Sequence, residues 1–182
     1  MWRERNLNRA VRSILAVAPF LAGGCSSAYP VDVRSAWGPG AKFTKLGSTF
    51  DWAPDAQVGA GSPRAANPQV HELVLKTVTQ ELTAKGYEKI SAGSPDFRLD
   101  YRVGMSMLGD TTGDGTLQQY PEGSLVLYVI DPASGKWIWR SAARARLNES
   151  GSPETREKRL REVVQRMLKD LPSKGGNPPA AR

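Results

Sequence analysis

Cysteine and histidine each occur once, as Cys25 and His71, and that scarcity closes off several chemistries. A single cysteine cannot form a disulfide within the chain. A structural zinc site draws four ligands mostly from these two residue types, so no metal site is expected, and no cofactor. Any Ser-His-Asp or Cys-His arrangement would have to be built on His71, near the start of a helix, where a plain surface histidine is the expected reading. Long apolar runs are missing too. Crossing a bilayer as a helix takes about 20 apolar residues, whereas the run from Ile14 to Ala22 is far shorter and contains Pro19.

What is present begins with Arg3, Arg5, Arg9 and Arg12 against a lone Glu4, followed by that apolar run and then small residues. This order of basic, apolar and small residues is a signal peptide, placed at residues 1–24. Its last part, Leu21-Ala22-Gly23-Gly24-Cys25, resembles the lipobox of bacterial lipoproteins, in which the cysteine thiol is acylated, the preceding peptide bond is cut and the new amino terminus is acylated in turn. The resemblance implies Cys25 as the lipidation site and a membrane partner reached through N-terminal acyl chains. At about 0.8 kcal/mol per buried methylene, three chains make a permanent anchor. Leucine stands one place further from the cysteine than in the usual lipobox, and Ala22 with Gly24 also fits ordinary signal cleavage, the competing reading. In enteric-type sorting an Asp after the cysteine retains a lipoprotein in the inner membrane. Ser26 occupies that place here, which implies the outer membrane, periplasmic side.

Removing the leader's 24 residues from 182 leaves 158, a length suited to one domain with its own core. The leader's four Arg and one Glu carry +3 of the net +7, leaving +4. Mild basicity of this kind is ordinarily solvated surface, compatible with anionic headgroups or cell-wall polymers. Nucleic acid is not an expected partner.

Residues 25–48 read as a lipidated N-terminus and tether, with Val31-Asp32-Val33 as a possible first strand. Thr49-Phe50-Asp51-Trp52 ends a strand before Pro54, and 55–66 is a Gly, Ala, Pro and Ser loop. Asn67 and Pro68 open a helix whose Val70, Leu73, Val74, Val78 and Leu82 recur at helical spacing, and Gly86 stops it. Phe97 to Met107 alternates as a strand with one wet face, Gly109 to Glu122 reads as a polar loop, and Ser124 to Ile130 is an apolar, central strand. Asp131-Pro132-Ala133-Ser134-Gly135 turns it into Lys136 to Leu147, making a hairpin at the centre of the sheet. Ser152-Pro153-Glu154 opens a last helix with an apolar stripe from Leu160 to Leu171 and acid-first charge pairs opposite. Residues 173–182 read as a disordered tail. The expected class is α+β, an antiparallel sheet with two helices packed on one face as a two-layer sandwich, within a single domain at 49–172.

Phe50-Asp51-Trp52, the helix ending Gly86-Tyr87, Pro95-Asp96-Phe97, Glu122-Gly123-Ser124-Leu125, Asp131, Gly135-Lys136, Trp139-Arg140 and a final helix closing on Leu171-Pro172 stand in an order that resembles the bacterial lipoprotein family named domain of unknown function 4136. The resemblance covers about residues 30–172. It implies an anchored envelope protein with an α+β domain, and it supplies no active residues.

The remaining candidates are few. Asp110 to Gly115 sets two carboxylates in a Gly-rich loop, but it misses calcium-loop spacing and the closing Glu, so a turn is expected. Asp96 and Asp100 are the carboxylate type a glycan-cleaving acid and base would need, with no motif to single them out. Trp137 and Trp139 lie two apart, hence on one face of a strand, where they floor a groove for lipid, glycan or peptide or else form core beneath a helix. Met105 and Met107 are expected in the core. The function these features imply is a lipid-anchored, non-enzymatic binding or structural module at the periplasmic face of the outer membrane, with an envelope protein or cell-wall component as partner. Two rivals stay open: a carboxylate-based hydrolase of peptidoglycan or lipid, and an auxiliary subunit of a transport or secretion complex.

Overall fold

The computed structural model describes residues 30–38, 46–54, 67–147 and 151–176. The leader, Cys25, Ser26, the 55–66 loop and the end of the tail lie outside them. Strands β1 (Val31–Trp37) and β2 (Thr49–Trp52) come first, then helix α1 (Pro68–Ala84), strands β3 (Glu88–Lys89), β4 (Phe97–Thr111), β5 (Leu117–Ile130) and β6 (Trp137–Arg146), and helix α2 (Pro153–Leu168). Both helices start where their caps dictate. The Asn67 side chain accepts the Val70 N–H at 3.1 Å, and Ser152 Oγ accepts that of Thr155 at 3.3 Å, each satisfying a donor left over by the first turn. Gly86, at φ +90°, takes the left-handed conformation that ends α1.

The strands form one six-stranded sheet in the order β1-β6-β5-β4-β2-β3. The class is α+β, but the sheet is mixed rather than antiparallel: β2 runs parallel to β4, with Phe50 opposite Phe97 and Trp52 opposite Leu99, and parallel to β3. The cause is α1. Parallel neighbours need a long crossover, and a 17-residue helix between β2 and the following strands is one. The expected first strand exists and forms a sheet edge, β1 pairing with β6 from Val31–Ala145 to Trp37–Trp139.

A larger departure concerns residues 109–122. The expected polar loop is instead ladder: β4 and β5 pair without interruption from Arg98–Ile130 to Thr111–Leu117. This hairpin projects beyond the rest of the sheet, so water wets both of its faces and no hydrophobic alternation is required of it. Its backbone hydrogen bonds hold it, and those leave no trace in side-chain pattern.

One sheet face is core. Phe97, Leu99 and Tyr101 of β4, Leu125, Leu127 and Val129 of β5, and Trp139 and Ala143 of β6 form a single cluster with Val74, Val78 and Leu82 of α1 and Val164, Met167 and Leu168 of α2. Ser141, buried in this face, donates to or accepts from Ser35 at 3.0 Å. Register turns Arg98, Arg102, Arg140 and Arg144 to the opposite face. The chain after α2 is tied down rather than loose at first: Tyr87 donates to the Pro172 carbonyl at 2.8 Å, Lys85 Nζ to that of Leu171, and the Lys174 N–H to that of Lys85. Burial pushes the Tyr87 hydroxyl up to about 12, so it stays a donor. At the start of the tail, Lys174 is thus held by its backbone to Lys85, just past the end of α1.

Asp96 joins β2 to the start of β4. Its Oδ2 accepts the Ser48 and Thr49 N–H groups at 2.7 and 2.8 Å and the Thr49 hydroxyl at 2.9 Å. The loop closes this tightly because residue 47 is glycine, where a Cβ would overlap the Asp96 carboxyl. Those donors, Thr49 first, hold the Asp96 carboxyl below its usual range. A carboxylate with a lowered folded-state pKa stabilises above its unfolded pKa and loses that contribution as pH falls through the folded one. Asp96→Asn is expected to cost about 1 kcal/mol at pH 7, less than is usual for bonds to a charged acceptor because water screens the exposed site. Urea midpoints at pH 7 and pH 3 should show the gap between the two proteins narrowing in acid.

Candidate functional site

The groove expected on Trp137 and Trp139 is undone by one extra residue. Val129 pairs with Trp139 but Ile130 pairs with Trp137, so Ile138 is a bulge. A bulge breaks the period of two, and the two indoles part. Trp139 is fully buried in the core face, opposite Trp37. Trp137 goes to the outer face, where the Arg140 guanidinium lies 5.1 Å from its ring centre. They therefore share no groove. Two further guanidinium–aromatic stacks stand on that outer face, Arg102 with Tyr128 and Arg146 with Tyr120.

The concave site is elsewhere, on the core face at the end from which the hairpin projects. A cleft of about 460 Å³ lies there between the two helices, with Val70 and Leu73 of α1 on one side and Leu160 and Val163 of α2 on the other. Gly123, Leu125, Ala143 and Ala145 make its floor. Three of those four are small, which lowers the floor beneath the helices. Gly123 matters twice, since a Cβ there would collide with the Leu147 side chain that borders the cleft. Arg156 and Arg159 bring positive charge to the α2 side, and Arg159 Nη2 donates to the Arg146 carbonyl at 2.9 Å. Both helices also point their N-termini to this end, so their partial positive charges add to that of the arginines. Among the described residues, no carboxylate lines the cleft. Its volume lies within the roughly 300–1,000 Å³ typical of small-molecule sites.

The other sequence candidates scatter. His71 is half-buried rather than a plain surface residue, its Nδ1 at hydrogen-bonding distance from the hydroxyl of buried Tyr101, a contact across α1 and β4 that no local pattern announces. Asp100 Oδ1 accepts the Tyr101 N–H on the outer face, while Asp96 sits in its backbone cradle. Asp114 closes a turn, accepting from Thr112 Oγ1 and from the Thr116 N–H, as expected. Among the described residues, no cluster of three or more His, Cys, Asp or Glu could hold a metal ion, and no helix is long and apolar enough to cross a membrane. Met105 and Met107, expected in the core, are 73% and 60% exposed, because at their positions the hairpin has left the helices behind. Cys25 lies outside the described residues.

A mixed six-stranded sheet, with both helices sharing the core of one face and a cleft between them, defines the class: a small α+β domain. The sequence model of the family described as Domain of unknown function (DUF4136) matches residues 33–173, and the chain belongs to that family. Among curated protein sequences none matches significantly. Among solved structures, the fold is shared with a PDZ domain protein from Parabacteroides distasonis at 12% identity and a TM-score of 0.54, over 84% of this chain. The chain spans only 39% of that protein's length. The PelC dodecamer from Paraburkholderia phytofirmans aligns at 15% identity over 76% of this chain and 95% of its own, with a TM-score of 0.46. A minor lipoprotein from Acinetobacter baumannii aligns at 11% identity over 68% and 88%, with a TM-score of 0.38. At these scores the last two bear on neither fold nor function.

Proposed function

We propose that this chain is a lipid-anchored envelope protein, acylated at Cys25 and held at the periplasmic face of the outer membrane, whose domain is a non-enzymatic binding module. The cleft is its recognition site. Apolar walls favour the body of an amphipathic ligand, and Arg156, Arg159 and two helix N-termini favour a negative charge at its end. The ligand class is therefore an apolar group carrying an anion, presented by a partner protein or envelope component. The observation that carries this reading is the cleft lining, which among the described residues joins hydrocarbon and guanidinium.

Filling the floor tests it. Ala145→Trp puts an indole into the cleft from a half-buried strand position. The wild-type chain is expected to bind 1-anilinonaphthalene-8-sulfonate, a ring system bearing a sulfonate, and the variant to bind it at least about tenfold more weakly, a change of about 1.4 kcal/mol. Melting temperatures of the two proteins should stay close. Equal affinity in two equally folded proteins would remove the cleft from consideration.

A further inference from the structure

We propose that the hairpin end of the domain rests on the lipid bilayer, with the methionine side of the β4–β5 hairpin at the membrane interface. This rests on acylation at Cys25 and adds an orientation to it. The chain enters the fold at Val31, which pairs with Ala145; Ala145 pairs with Gly123, and Gly123 with Met105. These four residues are one row across the sheet, so the tether leaves from the end where the hairpin projects.

Two lengths then decide the matter. From Cys25 to Val31 is six residue steps, which even fully extended reach only roughly 20 Å. Beyond the row the hairpin continues for six more residues, Met105 to Thr111 in β4 and Leu117 to Gly123 in β5, which at about 3.3 Å each is again roughly 20 Å. Tether and hairpin are therefore of equal reach, and an acyl group seated in the bilayer keeps the hairpin within contact distance of the surface.

The hairpin's composition fits the contact that its length allows. Met105, Met107 and Leu117 stand 73%, 60% and 63% exposed, and alternation with the register puts all three on one side. Ser106, Asp110 and Gln118 take the other side, with Leu108, at 38% exposure, and Tyr120, stacked on Arg146. The tip is polar, with the Asp114 carboxylate occupied by Thr112 and Thr116, so it stays at headgroup depth and the hairpin meets the surface tip first, tilted so that its methionine side turns toward the lipid. The cleft, at the base of the hairpin, then lies at the membrane end of the domain, and the Asp131–Gly135 turn at the far end of β5 faces away.

The lone cysteine makes the test direct, since acylation consumes its thiol and a second cysteine takes the label. Met107→Cys and Ser134→Cys, made as full lipidated chains and labelled with an environment-sensitive fluorophore, would be placed in phosphatidylethanolamine–phosphatidylglycerol vesicles carrying a headgroup-attached quencher. Leu117→Cys reads the same side from the other strand. The expected result is blue-shifted emission and strong quenching at 107 and 117, with neither at 134. Acylated protein with equal quenching at both ends, or more at 134, overturns the orientation and leaves the anchor standing. Intact mass showing an unmodified Cys25 overturns the anchor and the orientation together.

Discussion

Trp139→Ala is expected to destabilise the domain by about 3–5 kcal/mol, the range for truncating a large aromatic in a closed core. Its side chain is fully buried in β6, flanked on the sheet by Trp37 of β1 and Val129 of β5. Such a ring removes about 150–250 Å² from water, and the neighbours on three strands cannot all collapse into the space it leaves. Since a domain has only about 5–15 kcal/mol in all, the variant should be close to unfolding at 37 °C. Its indole N–H meets no acceptor among the described residues, so Trp139→Phe, which removes that unsatisfied donor with only part of the volume, should cost much less. Trp137→Ala is the contrast. Two residues away but across the bulge, it loses a stack with Arg140 at the surface, and about 1 kcal/mol or less is expected. Urea denaturation of the three variants checks all of this, and similar losses at 137 and 139 would contradict the bulge.

Cys25→Ser is expected to move the protein from the membrane fraction to the soluble fraction without unfolding it. Acyl chains contribute about 0.8 kcal/mol per buried methylene, and two or more chains give stable attachment. Three exposed side chains on a hairpin orient the domain but are too few to retain it. The variant should therefore sediment with membranes weakly if at all and wash off in salt, while its circular dichroism and urea midpoint match those of the wild type. Retention of the serine variant in the pellet after a salt wash would show that the globular surface, and not the lipid, carries the anchoring.

Sequence patterns were reliable wherever the deciding interactions are local. Asn67 and Ser152 cap the helices they were expected to cap, and Gly135, at φ +68°, closes the turn begun by Asp131. Of the apolar stripes, Val74, Val78 and Leu82 of α1 and Val164, Met167 and Leu168 of α2 are buried, whereas Val70, Leu73, Leu160 and Val163 line the cleft. Failures fall where a distant partner decides. The bulge at Ile138 shows only as a mismatch with β5, so counting by twos put Trp137 on the wrong face. The projecting hairpin has no buried side, so its pattern looked like a loop, and its methionines looked like core because methionine in a strand usually is. The cleft had one trace, the run Ser141-Ala142-Ala143-Arg144-Ala145, whose small residues at every second place leave room on the core face. That trace gains meaning only once two helix ends are known to bridge it.

By itself the sequence determined the lengths and caps of the helices, the turn residues and the family, because backbone propensity, capping and turn geometry act within a few residues. Tertiary structure alone decided that β2 runs parallel to β4, that the indoles at 137 and 139 part company, that His71 meets Tyr101, and that a cleft opens beneath two helix ends beside an exposed methionine ladder. Each of those depends on which segments meet in space, and pairing between strands far apart in the chain is set by the packing of the whole core rather than by any short stretch of residues.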